Sequence, residues 1–177
     1  MACSAPPPAT AMTDPTAASP AAQTAEASAD LAAPADAVAA TPPPGFEPIQ
    51  SSNPFGGRNG PIFERRTDAG WERGFRALAY HCNAGGVVHG GMLMTFADIL
   101  LARAVLDVAP PPFATMRLVS DFAGPAPRGA WVSGTARCVR RTRSLVFVDG
   151  LIAADGAPAL NVSGIFKLRR RPGAERP

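Results

Sequence analysis

The chain has 177 residues, 46% of them hydrophobic, with 17 basic and 14 acidic side chains. That length supports one domain with a core of its own and excludes two sizeable ones. Asp14, Glu26, Asp30 and Asp36 are the only charges before Gly45, and every basic residue follows it, so an acidic tail precedes a body of net charge +7. A body of that sign attracts polyanions: a nucleotide with several phosphates fits, and nucleic acid only weakly.

Residues 1–45 are Ala, Pro, Thr and Ser with almost no large apolar side chains, and they hold much of the excess in the chain's 20 prolines. Such a stretch cannot bury enough surface to offset the entropy of ordering, so it reads as a disordered tail. Met12, followed by Thr-Asp-Pro, reads as an alternative start. The N-terminus lacks the charged-then-apolar pattern of a secretory signal, and no run of about 18 apolar residues reads as a membrane span. Cys3 lies in the tail and Cys82 and Cys138 in the body, without C-x-x-C spacing. Neither a zinc site nor a disulfide scaffold is expected; reduced thiols in a cytoplasmic protein are.

Gly45 to Gly60 reads as loop, from its Pro, Gly, Ser and Asn. Extended segments follow at Pro61–Arg66 and Trp71–Tyr80, joined by a hairpin turn at Thr67-Asp68-Ala69-Gly70. Residues 81–91 form a glycine-dense loop. From about Gly91 to Val108 the spacing predicts a helix that is apolar on nearly all sides and therefore buried on most of them. Pro110-Pro111-Pro112 ends it. Four β-like runs complete the body: Phe113–Phe122, Trp131–Arg141, Leu145–Ala153 and Ala159–Leu168. The breaks between them suggest antiparallel neighbours. The expected plan is α+β: a hairpin, one long helix and a four-stranded meander, with an antiparallel sheet wrapped around the helix. The domain is placed at residues 46–171, with a disordered end at 172–177.

Asp98 is the most informative position, set in the apolar helix between Ala97 and Ile99. Burying an unpaired carboxylate costs several kcal/mol. The residue is therefore either paired to Arg103 or open to solvent at an edge, or it is a base or nucleophile in a partly dry cleft. His89-Gly90-Gly91 stands at the helix start, where free N–H groups and the dipole favour negative charge. Glycines there let a ligand oxygen approach the backbone, which suits an oxyanion as well as a plain turn. Eight residues of helix between Gly90 and Asp98 span roughly 12 Å. One helix cannot bring both to a single carbon atom, so a shared site needs two subunits related by a two-fold axis, a homodimer. His81, Asn83 and His89 surround the glycine loop, where Asn83 could orient a water or a carbonyl oxygen. Arg140, Arg141 and Arg143 flank a turn that is either a solvated face or a phosphate contact. Met92, Met94, Phe96 and Phe122 are read as apolar pocket lining, suited to a fatty or aromatic group.

The motif His81-x-Asn83-x-x-Gly86-x-x-His89-Gly90-Gly91 with Asp98 resembles the PaaI-like acyl-CoA thioesterases of the hotdog superfamily. Asn53-Pro54-Phe55, Gly60-Pro61-Ile62, Thr115, Asp121-Phe122, Pro125-Ala126, Asp155-Gly156 and Ser163-Gly164-x-Phe166 extend the resemblance over about residues 48–170. It implies a hotdog fold, a helix wrapped by an antiparallel sheet. Asp98 is then the general base or nucleophile, and the N–H of Gly90, with Gly91, polarises the thioester carbonyl. Asn83 and His89 support the carbonyl or the water, and Thr115 helps position the water. Arg141, Arg143 and Ser144 contact coenzyme A phosphates, with Thr142 standing where relatives often carry Gly. The resemblance implies no cofactor and no metal, and a homodimer with sites at the subunit interface that can pair into a homotetramer. The partner molecule is acyl-CoA rather than nucleic acid or membrane. Two other functions compete with hydrolysis: a non-catalytic acyl-CoA-binding regulator, and a hydroxyacyl-thioester dehydratase.

Overall fold

The computed structural model describes residues 40–49 and 54–169. Of the expected tail at 1–45, residues 1–39 lie outside the described residues, as does the end at 172–177. The elements run β1 (Glu47–Pro48), α1 (Pro54–Arg58), β2 (Phe63–Thr67), β3 (Gly70–Arg76), a short 3-10 turn (Ala79–His81), α2 (Gly90–Leu106), β4 (Phe113–Phe122), β5 (Trp131–Arg141), β6 (Leu145–Ala154) and β7 (Ala157–Leu168). The helix and the last four strands fall within a few residues of the bounds expected from pattern. Two short elements occupy the stretch expected to be loop. β1 exists only through its pairing with β2, Glu47 opposite Glu64. α1 begins on a proline, which the first turn of a helix accepts, and contains two glycines that argue against a helix.

β2 and β3 pair antiparallel about the expected turn, Thr67 opposite Gly70 and Glu64 opposite Arg73. β6 and β7 join through Asp155 and Gly156, both at positive φ, the two-residue turn that suits a twisted hairpin. The seven strands form one antiparallel sheet in the order β1-β2-β3-β5-β6-β7-β4. This corrects the four-stranded meander. β4 lies at the far edge against β7, and β5 pairs with β3. The link at 123–130 is too long for a tight hairpin and instead crosses to the glycine loop. There the Val88 N–H donates to the Ala126 carbonyl and the Arg128 N–H to the Gly86 carbonyl.

One face of α2 packs on the sheet. Met92, Leu93, Phe96, Ala97, Leu100, Leu101, Ala104 and Val105 are buried in one core with Phe75, Val132, Ile152, Leu160, Val162 and Phe166. Close approach depends on glycine in the sheet. A Cβ on Gly134 would stand 2.8 Å from Leu100 Cδ2, and one on Gly164 2.9 Å from Leu101 Cδ1. Met92 and Phe96, expected to line a pocket, belong to this core; Phe96 packs edge-on against Phe75. The other face of α2 stays open within the protomer: Gly91 and Met94 are exposed, and Thr95 and Asp98 half-buried.

Candidate active site

Asp98 sits mid-helix on that open face. It is half-buried rather than sealed in apolar surroundings, and its Oδ1 accepts a 2.7 Å hydrogen bond from the Thr115 hydroxyl on β4. The carboxylate borders the open edge of the sheet, where a polar strand residue reaches it. Pairing to Arg103 is excluded as well, because Arg103 binds Asp107 one turn on. Oδ2 of Asp98 has no partner among the described residues.

The glycine loop is built backwards from α2. His89 is the N-cap, and its Nδ1 accepts from the Gly91 N–H at 2.9 Å. The Met92 and Leu93 N–H groups both donate to the His89 carbonyl. Of the four N–H groups that a helix start leaves over, only that of Gly90 has no partner among the described residues. The expected pair of donors therefore reduces to one, since the Gly91 N–H is held by the cap. A Cβ on Gly90 would come within 3.2 Å of the Phe122 ring, so glycine also keeps the approach narrow.

Asn83 and His89 share one logic. Asn83 Oδ1 accepts from the Gly85 N–H at 2.9 Å, which leaves its amide NH₂ outward. His89 uses Nδ1 as acceptor, which puts the neutral ring's proton on Nε2, also outward. Both side chains are exposed. The loop thus offers donors at the helix start, while Asp98 offers an acceptor at mid-helix. His81 is buried instead, with Nδ1 accepting from the Leu78 N–H at 3.1 Å, and it shapes the loop from beneath.

The structure brings Thr115 to Asp98 and sets His89 next to Gly90, while Asn83 turns its side chain to the Gly85 N–H in the same loop. It does not bring the two groups together within one protomer, since they remain separated by eight residues of one continuous helix. Arg141, Arg143 and Ser144 lie at the β5–β6 turn. Thr142 closes that turn with its hydroxyl, which donates to the Leu145 carbonyl and accepts from the Leu145 N–H at 2.9 Å. No positive φ is needed there, so the glycine common in relatives is dispensable. Val146, Phe166 and Thr115 stand in one cross-strand row, two strand spacings or about 10 Å from end to end. The basic turn therefore shares the Thr115 end of the sheet. Arg140, Arg141 and Arg143 are exposed and have no carboxylate partner among the described residues.

Among the described residues, no group of three His, Cys, Asp or Glu side chains is arranged to hold a metal, and no helix is long and apolar enough to cross a membrane. Cys82 and Cys138 are free thiols. The sequence reading passed over the Glu64–Arg73 ion pair and the cavity it borders.

Residues 85–157 match the model of the Thioesterase superfamily. A Pseudomonas aeruginosa protein, the candidate esterase PA0474, is 34% identical over 130 residues, 71% of this chain and 96% of its own length. A candidate thioesterase of Ralstonia eutropha, related to phenylacetic acid degradation, superposes with TM-score 0.60 at 27% identity, covering 67% of this chain and 92% of the other. The Bacillus halodurans protein BH2602, solved with CoA, superposes with TM-score 0.56 at 21% identity over 61% of this chain and 74% of its own, a likeness of fold.

Proposed function

The chain belongs to the thioesterase superfamily and has the hotdog fold, and from that premise we propose that it hydrolyses an acyl-coenzyme A thioester to the free acid and CoA. The observation that carries this reading is the Thr115–Asp98 hydrogen bond, on the same helix whose start leaves the Gly90 N–H open. Asp98 acts as general base, held by Thr115, and takes a proton from water. The water oxygen bonds to the thioester carbonyl carbon. The oxyanion that forms is held by the Gly90 N–H, with Asn83 and His89 donating beside it. Collapse breaks the C–S bond, and the departing thiolate takes the proton from Asp98.

On this reading the base and the oxyanion donor, about 12 Å apart along one helix, come from different subunits of a homodimer that holds two equivalent sites and pairs further into a tetramer. Arg141, Arg143 and Ser144 bind phosphates of the CoA, in keeping with the CoA bound to the Bacillus halodurans neighbour. The PaaI-like subtype is supported by the Ralstonia eutropha structure. The protein works in the cytoplasm, where CoA thioesters are available.

The test is release of free CoA thiol from a panel of acyl-CoAs by wild type and by Asp98→Asn. The variant keeps the volume and the acceptor for Thr115 but loses the base. Its rate should fall by roughly 10²–10⁴-fold with binding retained. Near wild-type turnover by Asp98→Asn would remove Asp98 from the mechanism.

A further inference from the structure

A cavity of about 910 Å³ lies between β1, α1, the β2–β3 hairpin and the middle of α2. Its size falls in the range of small-molecule sites, about 300–1,000 Å³. Ile99 and Ala102 of α2 form one wall, and Glu64, Arg73 and Trp71 of the hairpin form another. Ala102 follows Asp98 by four residues and so shares its helix face, about 6 Å further along the axis. The helical wall of the cavity thus runs from Ile99, next to the proposed base in sequence, to Ala102 one turn on.

The hairpin wall carries an incompletely used ion pair. Glu64 and Arg73 face each other across the ladder, with side chains 25% and 11% exposed. Arg73 Nε and Nη2 both donate to Glu64 Oε2, at 3.0 and 2.9 Å, and Nη1 donates to the Ile99 carbonyl at 2.8 Å. A guanidinium has five N–H bonds, so two are left over, and Glu64 Oε1 accepts none from the described residues. Burial already pushes the Arg73 guanidinium below its ordinary pKa, opposed by its bond to Glu64. A plain hydrocarbon filling the cavity would exclude water from these groups without replacing its hydrogen bonds. A hydroxyl or a carboxylate on the ligand replaces them. Either accepts from Arg73, and the hydroxyl also donates to Glu64 Oε1. A carboxylate gains Arg66 as well, another wall residue, whose guanidinium lies over the Trp71 ring at 5.3 Å and has no carboxylate partner among the described residues.

We propose that this cavity receives the distal part of the acyl group, and that the Glu64–Arg73 pair selects acyl groups ending in a polar, hydrogen-bonding function. The inference rests on the reading of the protein as an acyl-CoA thioesterase. It also revises the fatty or aromatic tail expected from Met92, Met94, Phe96 and Phe122, of which Met92 and Phe96 are core residues and Met94 and Phe122 are exposed.

The experiment compares kcat/KM for hexanoyl-CoA, 6-hydroxyhexanoyl-CoA and adipoyl-CoA, with acetyl-CoA as a chain that ends short of the cavity. At least one polar-ended substrate should exceed hexanoyl-CoA by about tenfold or more, the effect of a hydrogen bond to a charged group. Which of the two does so identifies hydroxyl or carboxylate as the preferred end. Replacing the pair together, Glu64→Met with Arg73→Met, should reverse the preference toward hexanoyl-CoA. Should that variant not fold, Ala102→Phe fills the chamber and should slow the six-carbon substrates about tenfold more than acetyl-CoA. Hexanoyl-CoA matching both polar-ended substrates, or Ala102→Phe slowing acetyl-CoA equally, overturns the inference. If the wild type cleaves none of the four, acetyl-CoA included, the thioesterase reading fails by itself. Calorimetric binding of the uncleaved thioesters then decides the inference by the same polar-over-plain preference.

Discussion

Replacing Gly90 with proline deletes one N–H and little else. Gly90 is the first residue of α2, the position where proline's fixed φ fits and its missing N–H breaks no helical bond. His89 before it has φ −59° and ψ 136°, within the extended conformation that a following proline requires. Gly90→Ala is the matched control. It keeps the N–H and adds a Cβ within 3.2 Å of the Phe122 ring, a side chain 56% exposed that can turn aside. Losing one oxyanion donor costs about 10²–10³ in kcat, or about 2.7–4 kcal/mol. The fold should change by less than about 1 kcal/mol, because no buried bond is lost. Thiol release and a circular-dichroism melt, run on both variants, separate the two effects. Gly90→Pro should lose about 100-fold or more in kcat with KM nearly unchanged, while Gly90→Ala stays within a few-fold of wild type. A folded Gly90→Pro that turns over as fast as Gly90→Ala would show that this N–H plays no part.

Mixing tests the division between subunits. Asp98→Ala and Gly90→Pro protomers, each inactive alone, should on equal mixing and re-equilibration recover about a quarter of wild-type activity, since half the dimers are mixed and each keeps one whole site of two. A site contained in one subunit would recover nothing. Phe96→Ala removes a fully buried ring from beneath α2 and should destabilise the fold by about 3–5 kcal/mol in urea titration; a change under about 1 kcal/mol would mean that the helix is not packed as described. The Cys82 thiol is pushed up by burial, with Arg128 opposing. Less thiolate is therefore present at a given pH, and iodoacetamide, followed by peptide mapping, should label Cys82 more slowly in the native protein than in urea. Equal rates would refute the shift.

What the sequence disclosed followed from local chemistry. The apolar run after Gly90 and the three prolines after it bound α2, and turn residues bound β4 to β7. The Glu64–Arg73 pairing was open to inspection too: once Thr67 and Gly70 flank the turn, antiparallel register puts residue 64 opposite 73. The order of the sheet was not. No local signal in residues 123–130 says that β4 crosses to the far edge, because the partners of that link are the Gly86 carbonyl and the Val88 N–H in a distant loop. Nor could composition separate the faces of a helix apolar nearly all round, so Met92 and Phe96 were read as pocket when they are core. Asp98 stood out in the sequence as a carboxylate in an apolar helix; the structure finds it half-buried, and its hydrogen bond to Thr115 depends on a strand 17 residues away.

The candidate site follows a consistent division of hydrogen-bonding roles. Near the helix start, Asn83 and His89 each use an acceptor on a loop N–H, those of Gly85 and Gly91, which leaves their N–H donors free for other partners. At mid-helix, Thr115 occupies one oxygen of Asp98 and leaves the other as an acceptor. A thioester needs both kinds of group on one carbon, donors for the oxygen that gains charge and an acceptor for the attacking water's proton. Since a rigid helix holds them roughly 12 Å apart, proximity can come only from a second copy of the same helix set beside the first. In the proposed dimer, the open face bearing Gly91, Met94, Thr95 and Asp98 would receive that copy. Catalysis and dimerisation are then one requirement, and a variant that holds the protein monomeric by altering Met94 should lose turnover even with every catalytic group intact.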